Sequence, residues 1–71
     1  MVRMDMKTET YGYLVSTVES PHGYFETAVF PMRNKKVVWS AEALTRANYA
    51  AKAEQNHVEA MLWVQRKQME A

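Results

Sequence analysis

The first nine residues alternate between apolar and polar side chains, with Val2, Met4 and Met6 set against Arg3, Asp5 and Lys7. A period of two is the signature of a strand with one buried and one solvated face. At a chain terminus the same pattern is also compatible with a frayed end. From Tyr11 to Glu19 the chain is aromatic, aliphatic and β-branched, residue types that fit a pleated surface. Ser20-Pro21-His22-Gly23 follows. Proline fixes its φ and glycine admits positive φ, so this tetrapeptide reads as a turn. Tyr24 to Met32 is a second run of similar length and character, and two such runs about a short turn predict an antiparallel β-hairpin. Pro31 has no amide hydrogen to give to a ladder, which places it near the strand's end or on an edge. Arg33-Asn34-Lys35-Lys36 is polar and predicts a further turn, with Val37-Val38-Trp39 as a short third strand.

From Ser40 onward good helix formers dominate and neither Gly nor Pro recurs. Two helix starts compete. Ser40 can cap a helix beginning at Ala41, with Glu42 favourable in its first turn. Alternatively Asn48 is the cap, and residues 41–47 form an extended or irregular approach. Tyr49 to Met69 is helical in either case. At about 100° per residue, Ala50, Ala53, His57, Ala60, Met61 and Val64 fall on one stripe, flanked by Val58 and Leu62. Lys52, Asn56, Glu59, Arg66, Lys67 and Glu70 lie opposite, and Trp63 projects on that charged side. The expected fold is α+β. An antiparallel β-hairpin, of three or four strands if the flanking segments join it, packs against one C-terminal amphipathic α-helix. Residues 1–71 form a single small domain.

Composition narrows the possibilities. A chain of 71 residues buries a smaller share of its surface than a larger domain and usually needs a staple. It contains no cysteine, which excludes disulfides and thiolate metal sites. A hydrophobic fraction of 48% is ample for a core, so disorder is not expected. Nine Lys and Arg against eight Asp and Glu give no global basic field for binding phosphates. No apolar run is long enough to span a bilayer, and the start, Met1 to Lys7, lacks the apolar stretch of a secretory signal. These features point to the cytoplasm.

Candidate chemistry is sparse. His57 sits on the apolar stripe, and the only other histidine, His22, lies in the hairpin turn. Two histidines without an arranged carboxylate do not make a zinc site. His57 reads as a packed side chain bonded to a nearby backbone group, and His22 as a turn residue. Ser16, Ser20 and Ser40 have neither a glycine elbow nor a His-plus-acid context. The acids Glu19, Glu26, Glu42, Glu54, Glu59 and Glu70 are scattered. Gly12 and Gly23 are the only glycines, so there is no phosphate loop. No catalytic residue, metal or cofactor is assigned, and the chain is read as a non-enzyme.

Two clusters point to binding. Arg33, Lys35 and Lys36 beside Trp39 combine charge with a flat ring, as single-stranded nucleic-acid binders do. The plainer alternative is a solvated turn followed by a Trp that plugs the core. Arg66 and Lys67 complement the dipole at a helix C-terminus. Trp63, an aromatic rimmed by charge, is the candidate protein-interface residue. Its alternative is packing against the N-terminal strand or the third-strand segment. Both hairpin strands are apolar on both faces: Tyr11, Tyr13 and Val15 oppose Leu14 and Val18, and Phe25 and Val29 oppose Ala28 and Phe30. One helix covers one face, so the other calls for a second subunit and a homodimer is expected. The same two-sided pattern sets the strand register only weakly.

Phe25-Glu26-Thr27-Ala28-Val29-Phe30-Pro31 resembles a strand found in many short phage and prophage proteins of unknown function. These carry Glu-Thr-x-Val-Phe, then a Trp, then a helix bearing Ala and a Gly-His pair. The corresponding positions here are Trp39, Ala53 and Asn56-His57. Asn56 stands in place of the usual Gly, and Tyr49, the aromatic before the helix, is shifted. The resemblance spans roughly residues 24–64, places the helix start near Asn48 or Tyr49, and implies a phage origin without a known activity. The resulting expectation is a non-enzymatic phage or prophage accessory protein acting by protein–protein binding, with a host protein as a possible target. A small nucleic-acid-binding module is the runner-up, and a ligand-binding domain with His57 lining a pocket comes third.

Overall fold

The computed structural model describes residues 4–70; Val2 and Arg3 of the N-terminal alternation lie outside them. From Met4 onward the alternation forms a strand rather than a frayed end. In β1 (Asp5–Thr10) Met6, Thr8 and Thr10 are half-buried while Asp5, Lys7 and Glu9 face water. Tyr11 and Gly12, at φ 48° and 78°, form a two-residue loop in which both residues are left-handed. This is the loop whose twist suits a hairpin. It leads into β2 (Tyr13–Glu19), which pairs with β1 antiparallel from Thr10↔Tyr13 to Asp5↔Val18. At the other end Ser20 organises the turn. Its carbonyl accepts from the Gly23 amide at 3.1 Å, and its hydroxyl accepts from the His22 amide at 3.0 Å. The chain then runs back as β3 (Phe25–Arg33) along the other edge of β2.

The strip beyond β3 is one bent strand in two pieces. Asn34 and Lys35, at φ 52° and 64°, make a second left-handed two-residue loop into β4 (Lys36–Val37). After an interruption, β5 (Ala43–Ala47) continues along the same edge of β3. Met32 faces Val37 but Val29 faces Ala43, so three extra residues bulge out between the two pieces. The Val37-Val38-Trp39 strand is therefore shorter than expected: Trp39 leaves the ladder at this bulge. Pro31 lies near the end of β3, and its carbonyl accepts from the Val38 amide at 2.8 Å.

Residues 43–47 settle the competition over the helix start. Ala47 is buried and Ala43 half-buried while Leu44, Thr45 and Arg46 are exposed, and pairing with Phe25–Val29 of β3 overrides the helix propensity of Ala-Leu-Thr-Arg-Ala. The helix α1 (Ala50–Met69) begins after Tyr49, whose φ of −148° is extended and which supplies no side-chain cap. Neither Ser40 nor Asn48 is the cap.

The result is an α+β fold: a curled antiparallel sheet in the order β1-β2-β3-β4, with β5 also on β3, and α1 laid across one face. The fully buried centre is Val15, Val29 and Val64, with Tyr13, Ala43, Ala60, Met61 and Trp63 packed around it. Ala53, fully buried, lets the N-terminal half of the helix approach closely.

The buried stripe is rotated from the expected one. Asn56 is buried and Trp63 packs on the core, whereas Val58 and Leu62 are exposed. The reason is the width of the sheet. A helix on a lone hairpin would use a narrow stripe, but here it also rests on β5 and so turns Asn56 and Trp63 inward.

Candidate functional site

The helix-covered side of the sheet holds a polar seam within an apolar layer. Thr8, Thr17 and Thr27 come from three adjacent strands, and alternation points all of them at the helix. His57 descends from α1 between them. Its Nδ1 lies 2.7 Å from Thr17 Oγ1 and its Nε2 lies 3.0 Å from Thr8 Oγ1. Thr17 Oγ1 is in turn 2.7 Å from Thr27 Oγ1. A hydroxyl both donates and accepts, so this chain satisfies every member with His57 neutral. Burial pushes the His57 pKa below its ordinary value. His57 is thus a packed residue held by two threonine hydroxyls rather than by a backbone group. Asn56, beside it, donates to the Arg46 carbonyl at 3.4 Å. Among the described residues no buried side-chain polar atom lacks a partner, and no three His, Cys, Asp or Glu gather to hold a metal. The seam fixes the helix on the sheet; Thr27 and Asn56 also edge the groove between α1 and β5, whereas His57 does not line it.

Among the described residues no helix lies on the opposite side of the sheet, where Leu14, Ser16 and Ala28 are buried between larger neighbours. Alternation assigns Leu14, Ser16 and Val18 of β2, and Glu26, Ala28 and Phe30 of β3, to this face. Leu44 of β5 joins them opposite Ala28. The three-residue bulge lifts Trp39 out of the strand, and its ring meets Phe30 edge-on with centroids 5.0 Å apart. Bulges commonly re-aim a side chain in this way. Small Ser16 and Ala28 form the floor of a groove of about 360 Å³, walled by Val18, Phe30, Trp39 and Leu44. Trp39 is 71% exposed and Leu44 54%. The rim is charged: Lys7 bonds Asp5 on β1, and Arg46 lies 3.5 Å from Glu26. An apolar centre within a charged rim is the anatomy of a protein interface.

The remaining candidates are placed as follows. Arg33 pairs with Lys36, and both alternate to the helix side, whereas Trp39 stands on the open face against Phe30. The sheet therefore separates these cations from the ring expected to act with them. Lys35, in the loop, shares a shallow hollow with Tyr11 and Gly12. Trp39 does not plug the core. Trp63 packs on the core instead of projecting among charges, and Lys67 Nζ sits 4.9 Å above its ring. Trp63 also lines a groove of about 180 Å³ between α1 and β5, with Ala43, Leu44 and Glu59. Lys67 bonds Glu42 at 2.7 Å, which raises its pKa, as does the neighbouring Tyr13 hydroxyl. His22 is an exposed turn residue, its ring stacked on Tyr24. No helix among the described residues is long and apolar enough to cross a membrane.

Leu44, Ser16 and Ala28 were missed as site residues. No local pattern marks Leu44: Ala-Leu-Thr-Arg-Ala does not alternate, and its strand character comes from pairing with Phe25–Val29. The class defined by fold and site is a small α+β domain whose sheet has one covered and one open face. Comparison with known protein families, with curated proteins and with solved structures finds no match.

Proposed function

We propose that this chain is a non-enzymatic binding protein that engages other proteins through the open face of its sheet. The observation that carries the reading is the apolar groove over Ser16 and Ala28, with Trp39 and Leu44 exposed at its walls. Contiguous apolar surface rimmed by charge is costly to leave in water and marks interaction sites. The rim carries both signs, and Arg33 and Lys36 point away from Trp39, which favours a protein over a nucleic acid as the partner. Together with the resemblance of Phe25–Pro31 and Trp39 to phage proteins, this supports an accessory protein of a phage or prophage that binds a host factor in the bacterial cytoplasm.

The test is a tagged pull-down from bacterial lysate, with and without nuclease, comparing the natural chain with Leu44→Glu. A stoichiometric protein that survives nuclease and is lost with Leu44→Glu supports the reading. Nuclease-sensitive capture, or capture indifferent to Leu44→Glu, contradicts it.

A further inference from the structure

We infer that the open face is occupied by a second copy of this chain, with Trp39 of each copy seated on the Ser16–Ala28 floor of the other. The inference rests on the reading that this face binds protein; a host factor that uses the same face would have to displace the second copy. Its basis is that knob and hole lie side by side on one surface. Trp39 stands 71% exposed at the wall of a groove whose floor is made of two small, buried residues, Ser16 and Ala28. A two-fold axis through such a surface places each projecting ring over the other copy's floor without any further adaptation. That is the self-complementarity a closed dimer requires. The ring is braced edge-on by Phe30, so ordering it on association costs little.

Area and charge agree. Strands about 4.8 Å apart and rising about 3.3 Å per residue give this four-strand-wide face a flat area of roughly 400 Å². A seated Trp adds about 150–250 Å². Two copies thereby bury on the order of 1,000 Å², the lower bound for a stable interface. Asp5 is bonded to Lys7 and Glu26 lies against Arg46 within each chain, which leaves Glu9, opposite Leu14 on the same face, as the charge that pairing must keep at the solvated rim. Among the described residues the fully buried hydrophobic side chains are Val15, Val29, Val64 and Ala53, none larger than valine. A domain with so small a core gains from association.

Sedimentation equilibrium of the full chain over a wide concentration range tests the pairing. A second measurement locates it: isotope-filtered nuclear Overhauser spectroscopy on an equal mixture of ¹³C-labelled and unlabelled chains. The expected result is a mass of two chains, intermolecular contacts between the Trp39 ring and the Ala28 methyl, and association weakened about 30-fold or more by Trp39→Ala with an unchanged circular dichroism spectrum. A single-chain mass at every concentration would overturn the inference, as would a pair that lacks the Trp39–Ala28 contacts or is indifferent to Trp39→Ala. A single-chain mass combined with lysate capture that Leu44→Glu abolishes would overturn self-pairing while leaving the open-face reading standing. A Trp39-dependent pair that captures nothing from lysate would do the reverse for the host factor.

Discussion

His57 Nδ1 and Thr17 Oγ1 lie 2.7 Å apart between helix and sheet, and through this contact the helix is locked to one position over β2. Sliding α1 by a turn would take the imidazole away from Thr17 and half-buried Thr8 and bury it among apolar groups, while Thr17 and Thr27 kept each other. Each unsatisfied group would cost about 1–3 kcal/mol. The seam therefore supplies specificity of registration where a core of small residues alone would be permissive.

Stability should depend on pH through this histidine. Burial lowers its pKa, so the folded state prefers the neutral ring more strongly than the unfolded chain does. The contribution is fully present above the ordinary histidine value of 6.5 and is lost as pH falls from there through the lowered folded value. Urea midpoints should fall between neutral and mildly acidic pH. His57→Gln should flatten that dependence.

Thr17→Val keeps the shape of the side chain but removes the hydroxyl that joins His57 to Thr27. A loss of about 1–3 kcal/mol is expected, measured by chemical denaturation. Thr17→Ser retains the hydroxyl and should lose less. In a double-mutant cycle Thr17→Val and His57→Gln should be non-additive, because they act on one network.

The two tryptophans should behave oppositely. Trp63 packs on Val15, Val29 and Val64, so Trp63→Ala should destabilise the fold by about 3 kcal/mol or more. That is a large share of the roughly 4–10 kcal/mol expected for a chain of this length. Trp39 is 71% exposed and contacts Phe30 at its edge, so Trp39→Ala should cost about 1 kcal/mol at most. Thermal denaturation of both variants checks the contrast.

Lys35 holds φ at 64° in a two-residue hairpin loop where glycine is the favoured residue. Lys35→Gly should relieve the roughly 1–2 kcal/mol that the left-handed region costs an L-residue, and after glycine's own entropic cost of about 0.5–1 kcal/mol should stabilise the protein by about 0.5–1 kcal/mol. For a domain of this size the melting temperature should rise by roughly 2–8 °C, read by scanning calorimetry.

Much of the fold was legible because period two and turn chemistry are local. β1, the central hairpin with its Ser20–Gly23 turn, the Asn34-Lys35 turn and the body of α1 follow from residues near one another in sequence. Tyr11, expected to open β2, instead lies exposed in a left-handed loop with Gly12. β5 was not assigned as a strand, because Ala43–Ala47 has helix formers in its sequence and becomes a strand only by pairing with Phe25–Val29. That omission displaced the helix stripe and put Trp63 and Asn56 on the wrong side. Trp39 was singled out, yet its setting depends on a bulge created by a register difference between β4 and β5, which no local pattern encodes. The surplus apolar face, by contrast, was visible in the two-sided pattern of β2 and β3.

Hydroxyl-radical footprinting tests most directly whether the open face is the binding surface. The natural chain in its assembled state is compared with Leu44→Glu, and oxidation is read residue by residue. Protection of Trp39 and Phe30 in the natural chain, lost in the variant, with Leu62 and Met69 on the outer side of the helix equally reactive in both, is the expected result. Protection of Leu62 and Met69, with Trp39 fully reactive, would contradict it and move the binding surface to the helix.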